Sequence, residues 1–362
     1  MMKLRFMLLI ALSPIVMLSY SIFGYQWFIA INSSQINIVV SPTNSTYILN
    51  IVGDARTAVY METYELTYQP LIDELIKLAR NGVEVYVVLS GNVYGGIPEE
   101  EYTAVNELMS AGAHVSFNYM FNYVHSKVII IDNDTVIIGS INPTYYGFEK
   151  DLGIDLIINN STIAQVLANI VLSDYYNRTI TQVSYPGIVV SPINSATYLE
   201  NLLNQPGTLY MAIEELYPSS NMYNLIQQHS GKIILVGSHA ENEYAINELG
   251  AKMINDLTAK VIVVGNYVYV GSINLDYTSL HENRELGIII ENPTIAQDIA
   301  EIIQQWNNQY MGKSTTTTTQ QQTQTTISST ATLIILLIVL AIMYHITKQA
   351  LRPRKRRRIP RL

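Results

Sequence analysis

At 362 residues and without a single cysteine, the chain is long enough for two domains of ordinary size and excludes a disulfide framework and a thiolate metal site. Its net charge of −8 is unevenly placed: ten of the 21 Lys and Arg are Lys3, Arg5 and the eight in 348–361, which leaves 11 against 29 Asp and Glu between them, a body near −18. Non-specific binding to DNA rests on neutralising phosphates with Lys and Arg, so this body argues against a nuclease at neutral pH.

The chain opens with Met1-Met-Lys3-Leu-Arg5 and runs largely apolar to Ile31, so 1–31 reads as a signal peptide or an N-terminal membrane anchor. Alternating strand and helix patterns follow. A helix is expected over Pro70–Arg80, with Pro at its start, Leu71, Leu75 and Leu78 on one face, and Gly82 as terminator; the strand Val83–Leu89 comes next. Val128–Ile131 and Val136–Ile138 are β-branched runs around Asp132-Asn133-Asp134, which predicts a hairpin. In a strand, residues two apart share a face, so His125 and Lys127 point the same way, and the return strand brings Gly139, Ser140 and Asn142 beside them. An imidazole, an ammonium, a hydroxyl and an amide at one spot suit a phosphate group. Asp132 lies about 16 Å beyond Lys127 along an extended strand, so it reads as a turn former at the far end.

The module occurs twice. Val39-Val40-Ser41-Pro42, Asn44-Ser45, Tyr60-Met61 and Glu65-Leu66 recur 150 positions later as Val189-Val190-Ser191-Pro192, Asn194-Ser195, Tyr210-Met211 and Glu215-Leu216. Near the motif the offset shrinks to 132, where Gly139-Ser140-Ile141-Asn142 matches Gly271-Ser272-Ile273-Asn274, so the second copy is shorter, chiefly across Gly91–Val124. Lys260 matches Lys127, but Thr258 stands where a histidine is expected, and no aspartate follows Val264. Strands are expected at Ile233–Val236, Val261–Val264, Val268–Val270 and Ile288–Ile290, and a helix at Ile295–Gln309.

Beyond the second copy, 314–330 is almost purely Ser, Thr and Gln and reads as a flexible stalk; 331–347 reads as a transmembrane helix and 348–362 as a basic cytoplasmic tail. Sequons at Asn32, Asn44, Asn133, Asn159, Asn160 and Asn177 agree with a catalytic body outside the cell membrane.

The pattern His125-x-Lys127, Asp132, Gly139-Ser140-x-Asn142 resembles the signature of the phospholipase D superfamily of phosphodiesterases, over roughly 36–290. The resemblance implies an α/β fold of two α-β-α sandwich repeats with mixed sheets, here 36–180 and 185–311, meeting at a pseudo-twofold axis. It implies that one histidine attacks phosphorus and another protonates the leaving oxygen, with no metal or cofactor. His125 would be the nucleophile; Lys127, Asn142, Lys260 and Asn274 would cradle the phosphate, with Asp132, Ser140 and Ser272 in support. Asp151 in Glu-Lys-Asp-Leu-Gly aligns with Glu285 in Asn-Arg-Glu-Leu-Gly, where the family often carries a carboxylate that orients the histidine.

Thr258 leaves the general acid open, because a hydroxyl does not exchange protons near working pH. Two chains pairing as a homodimer, substitution by His281, or phosphate binding without cleavage would each account for it. The expected function is a membrane-anchored extracellular phosphodiesterase acting on lipid head groups or other small phosphodiesters. The alternatives are an inactive phosphate- or lipid-binding surface protein and a cell-surface nuclease.

Overall fold

Short β-branched runs punctuated by Gly, Asn and Asp fold into two mixed sheets of like topology. The computed structural model describes Gln26–Gln309, and Gln26–Asn307 belong to one compact unit. The first sheet has seven strands: β2 (Ile36–Val40), β3 (Ala58–Thr63), β4 (Glu84–Ser90), β5 (His114–Asn118), β6 (Lys127–Ile131), β7 (Thr135–Gly139) and β8 (Ile154–Asn159), in the order β2-β8-β7-β6-β3-β4-β5. The second repeats it with β9 (Ile188–Ser191), β10 (Leu209–Ile213), β11 (Lys232–Val236), β12 (Lys252–Met253), β13 (Lys260–Val264), β14 (Tyr267–Gly271) and β15 (Glu285–Glu291). The crossover pairs β3-β4 and β4-β5 of the first sheet and β10-β11 and β11-β12 of the second are parallel, and the hairpin pairs β6-β7 and β13-β14 are antiparallel.

The helix before β4 spans Gln69–Arg80, carries Pro70 in its first turn and ends before Gly82, whose φ of +86° is open to glycine. Its apolar stripe buries Leu71, Ile72, Leu75, Ile76 and Leu78 in the first core cluster. The second half is shorter where expected: a 12-residue helix, Glu99–Ser110, is answered by the seven residues Glu243–Leu249, and five-residue β5 by two-residue β12. The repeated Val-Val-Ser-Pro-x-Asn is a structural device, since Asn44 Oδ1 accepts the Val40 N–H and Asn194 Oδ1 the Val190 N–H, both at 2.7 Å. A helix over 293–309 closes the described chain.

One expectation needs correction. The expected apolar segment runs to Ile31, but Ile29–Ala30 form β1, pairing in parallel with Ile290 and Glu291 of β15. Trp27 and Phe28 pack against Tyr267, so burial on the second core holds this stretch to the body. Residues 1–25, the stalk, the apolar span and the basic tail lie outside the described residues. Among the described residues no helix is long and apolar enough to cross a membrane.

The two halves interlock through backbone. Val124 pairs in parallel with Arg284, where the His125 N–H donates to Arg284 O and the Arg284 N–H to Tyr123 O, both at 2.8 Å. The mirrored bridge joins Leu152 to Leu257, with the Thr258 N–H on Leu152 O at 3.1 Å. Beneath the first bridge the fully buried Arg284 crosses into the first half. Its Nη2 donates to Asp174 Oδ1 at 3.1 Å, its Nη1 to Ser191 O at 2.8 Å, and its guanidinium lies 4.2 Å above the Phe121 ring. Glu62 shares this interior and accepts the Ser126 hydroxyl; burial first, then Asp174, pushes its carboxyl well above the usual range. Removing one partner of such a cluster strands the others. Arg284→Ala should therefore lower the unfolding free energy by ~3–5 kcal/mol, measured by urea denaturation; a loss below ~1 kcal/mol would refute this role.

Candidate active site

The hairpin expected around Asp132 forms. β6 and β7 pair in antiparallel register, and Asp132 and Asn133 take left-handed φ values of +54° at its tip. Asp132 accepts the backbone N–H groups of Arg56, Thr57 and Ala58, so burial would raise its pKa but these bonds carry it below the ordinary value. It is a turn and strand anchor, remote from the lysine end.

His125 sits just before β6, its side chain 17% exposed, with Nδ1 2.9 and 3.0 Å from the two oxygens of the fully buried Glu285. The carboxylate belongs to the other half, delivered by the Val124–Arg284 bridge. It fixes one ring nitrogen and leaves Nε2 with its lone pair. Burial holds the His125 pKa below its ordinary value, with Glu285 opposing and Lys127 assisting. Burial would raise Glu285, but His125 and Lys127 outweigh it and keep the carboxylate ionised. The Tyr64 ring lies edge-on to His125 with centroids 5.1 Å apart.

The lysines hold mirrored places and differ in partners. Lys127 Nζ donates to His125 O at 2.6 Å and Lys260 Nζ to Thr258 O at 2.9 Å. Lys260 also bonds the Glu214 carboxylate, whereas among the described residues no carboxylate lies within ion-pair distance of Lys127. Burial first, then Lys260, pushes Lys127 down to about 7. Asn274 lines the cleft and accepts the Glu215 N–H at 3.1 Å, while Asn142 Oδ1 is buried without a hydrogen-bond partner. The cleft, of about 490 Å³, is lined by Tyr64, Tyr94, Tyr123 and His125 from one half and Glu215, Tyr217, Asn274 and Asp276 among those of the other.

Several expected site residues have other duties. Ser140 and Ser272 are fully buried and tie the motif to the next strand: the Ser140 hydroxyl donates to Ile154 O at 3.2 Å and accepts the Ile154 N–H at 3.0 Å, and Ser272 does the same with Leu286. Neither hydroxyl is free for a phosphate. His281 is exposed and packs at a tilt against Tyr277, with ring centroids 4.8 Å apart.

The pairing of Asp151 with Glu285 is also displaced. Gly139 faces Asp155 across the sheet and Gly271 faces Gly287, so the structural offset stays 132 and the counterpart of Glu285 is Gly153. A Cβ at 153 would stand 2.9 Å from Ile141 Cγ1, so the position tolerates no carboxylate side chain without a shift. Asp155 instead accepts the N–H groups of Ser140 and Ile141 at 2.8 and 3.0 Å. In the second half, Gly287 makes room for Tyr269, whose hydroxyl accepts the Ile273 N–H at 3.0 Å. Asp151 is pushed up to about 6 by burial and by Glu214. Among the described residues no three His, Asp or Glu side chains are close enough to hold a metal ion.

The family model described as cardiolipin synthase, PLD-like domain, matches 48–175 and 219–306, more than half of the chain. A phospholipase D from Rickettsia conorii is 28% identical over 132 residues, 36% of this chain and 62% of that protein. Cardiolipin synthase 1 of Staphylococcus epidermidis is 24% identical over 119 residues, 32% of this chain and 24% of its own length. The chain thus spans less than two thirds of these relatives. Two solved structures share the fold: phosphatidylserine synthase of Haemophilus influenzae, at TM-score 0.58 and 14% identity over 79% of this chain and 88% of that one, and polyphosphate kinase of Porphyromonas gingivalis, at 0.60 and 12% over 75% and 50%.

An anion bound beside His125 would meet a pH-dependent charge on Lys127. It is a cation below about 7 in the empty site and loses that charge above it. A bound phosphodiester, whose single charge does not change over this range, holds the proton on. Calorimetric titration of the His125→Ala variant should therefore give about tenfold weaker diester binding at pH 8 than at pH 6. A flat response would mean that Lys127 stays charged throughout.

Proposed function

Because this chain belongs to the phospholipase D superfamily, we propose that its body is a phosphodiesterase in which His125 attacks phosphorus. One observation carries this reading: a buried carboxylate holds His125 Nδ1 at 2.9 Å, leaving Nε2 as an unprotonated nucleophile beside the ammonium of Lys127. Burial supports it by disfavouring the imidazolium. The attack forms a P–N bond, the P–O bond to the leaving group breaks with its electron pair on oxygen, and water then releases the phosphoryl group from His125. Lys127 and Asn274 hold the non-bridging oxygens, and Lys260 lends its field although Glu214 neutralises most of it.

The substrate class is a lipid head group or another small phosphodiester. The acidic body argues against DNA, and relatives named phospholipase D and cardiolipin synthase support a lipid-related substrate. Glu285 reaches His125 within one chain, so a monomer suffices to orient the nucleophile. We place the body outside the cell, tethered by 331–347 with the basic tail inside, on the strength of the sequence pattern alone. A second reading, phosphate binding without turnover, is favoured by Thr258 and Gly153, which leave the positions mirroring His125 and Glu285 without imidazole or carboxylate.

With a nitrophenyl phosphodiester, His125→Ala should lower turnover at least about 1,000-fold while binding is kept, in samples whose molar mass is that of the monomer. Turnover confined to a dimer fraction would defeat the single-chain reading, and none at any pH would favour the binding protein. Protease added to intact cells should cut the body and spare the basic tail; protection of the body would reverse the orientation.

A further inference from the structure

The mirrored half of the site lacks both parts of a histidine–carboxylate pair. Thr258 occupies the imidazole position with its Oγ1 buried and unpartnered, and Gly153 occupies the carboxylate position. An alkoxide is a poor leaving group, and a positioned acid contributes about 10²–10⁴ in rate to such a step. If the site cleaves alkyl phosphodiesters, the proton has to come from elsewhere.

The register shows where. Thr63 pairs with Lys127 and Ile213 with Lys260, so Glu214 is the counterpart of Tyr64, whose ring packs on His125. Glu214 therefore stands beside the vacated position, bonded to Lys260, whose ammonium also holds Thr258 O. Against it lies His239, with Nε2 3.4 Å from Glu214 Oε1 and Nδ1 3.5 Å from Glu215 Oε1. Glu215 lines the cleft together with His125. The His239 side chain is 37% exposed, yet its loop is pinned, because buried Asn242 donates to Glu214 O and Gly237 O at 2.7 and 2.8 Å and accepts the Leu216 N–H.

We propose that His239 is the proton donor of this site, acting from the loop after β11 in place of an imidazole at position 258. The inference rests on the phosphodiesterase reading. As His125 Nε2 forms its bond to phosphorus and the P–O bond breaks, the leaving oxygen takes the electron pair and the His239 proton and departs as an alcohol. Neutral His239 then takes a proton from the water that attacks the phosphohistidine. This restores the imidazolium and frees His125 and a phosphomonoester. The two histidines are pushed in opposite directions, His239 up through its bond to Glu214 and His125 down through burial, as an acid and a base in one site require.

The test compares full-length wild type and His239→Asn on 4-nitrophenyl methyl phosphate, whose leaving group departs readily as an anion, and on cyclohexyl methyl phosphate, whose leaving group needs a proton. The substitution should lower turnover of the cyclohexyl ester at least about 100-fold more than that of the nitrophenyl ester. Equal losses on both esters would overturn the role of His239 and leave the nucleophile standing. Failure of wild type to cleave the nitrophenyl ester would overturn the phosphodiesterase reading, and this inference with it.

Discussion

Arg284 reaches from the second half into the interior of the first, and the site depends on where it comes to rest. A guanidinium out of water is costly unless paired and hydrogen-bonded, and its partners Asp174 and Ser191 O, with the Phe121 face, occur together at one place only. Docking there fixes the parallel bridge of Val124 to Arg284, and the next residue, the first of β15, is Glu285. The carboxylate that orients His125 is thus positioned by a neighbouring charge it never touches. Glu62 and Asp174 share this one cation, which is why burial and mutual repulsion drive Glu62 toward its neutral form.

Around that constraint the two halves have diverged in chemistry while keeping their backbone. Lysines, asparagines and backbone-tying serines recur in the same places. The Glu214 carboxylate takes the second lysine as its ion-pair partner, whereas Tyr64 at the corresponding place offers Lys127 a ring 5.7 Å away. Like charge from Lys260 still reaches Lys127, so the second half tunes the first electrostatically.

Much of this was legible in the sequence. The duplication, the hairpin, the remote turn role of Asp132 and the convergence of His125 with Lys127 follow from strand periodicity and turn chemistry, which are local. What failed was long-range. The shared Leu-Gly of Leu152-Gly153 and Leu286-Gly287 invites an offset of 134, while the hydrogen-bond register holds 132, and the two-residue slip hid Gly153 behind Asp151. Continuing the Gly-Ser-Ile-Asn offset unchanged would have exposed it. Substitution of Tyr64 by Glu214 was likewise readable from the 150-residue repeat, but its meaning required seeing Lys260 and His239 around it. Arg284 gave no local signal, since its partner Asp174 lies 110 positions away on a helix of the other half.

Joining both halves in one chain has an evolutionary consequence. In a symmetric pair of identical subunits, a change of His to Thr strikes both positions at once and removes every imidazole. Fused copies mutate separately. Thr258, Gly153 and Glu214 could therefore accumulate on one side of the cleft while His125, Glu285 and Tyr64 persisted on the other, and a twofold arrangement became an asymmetric one.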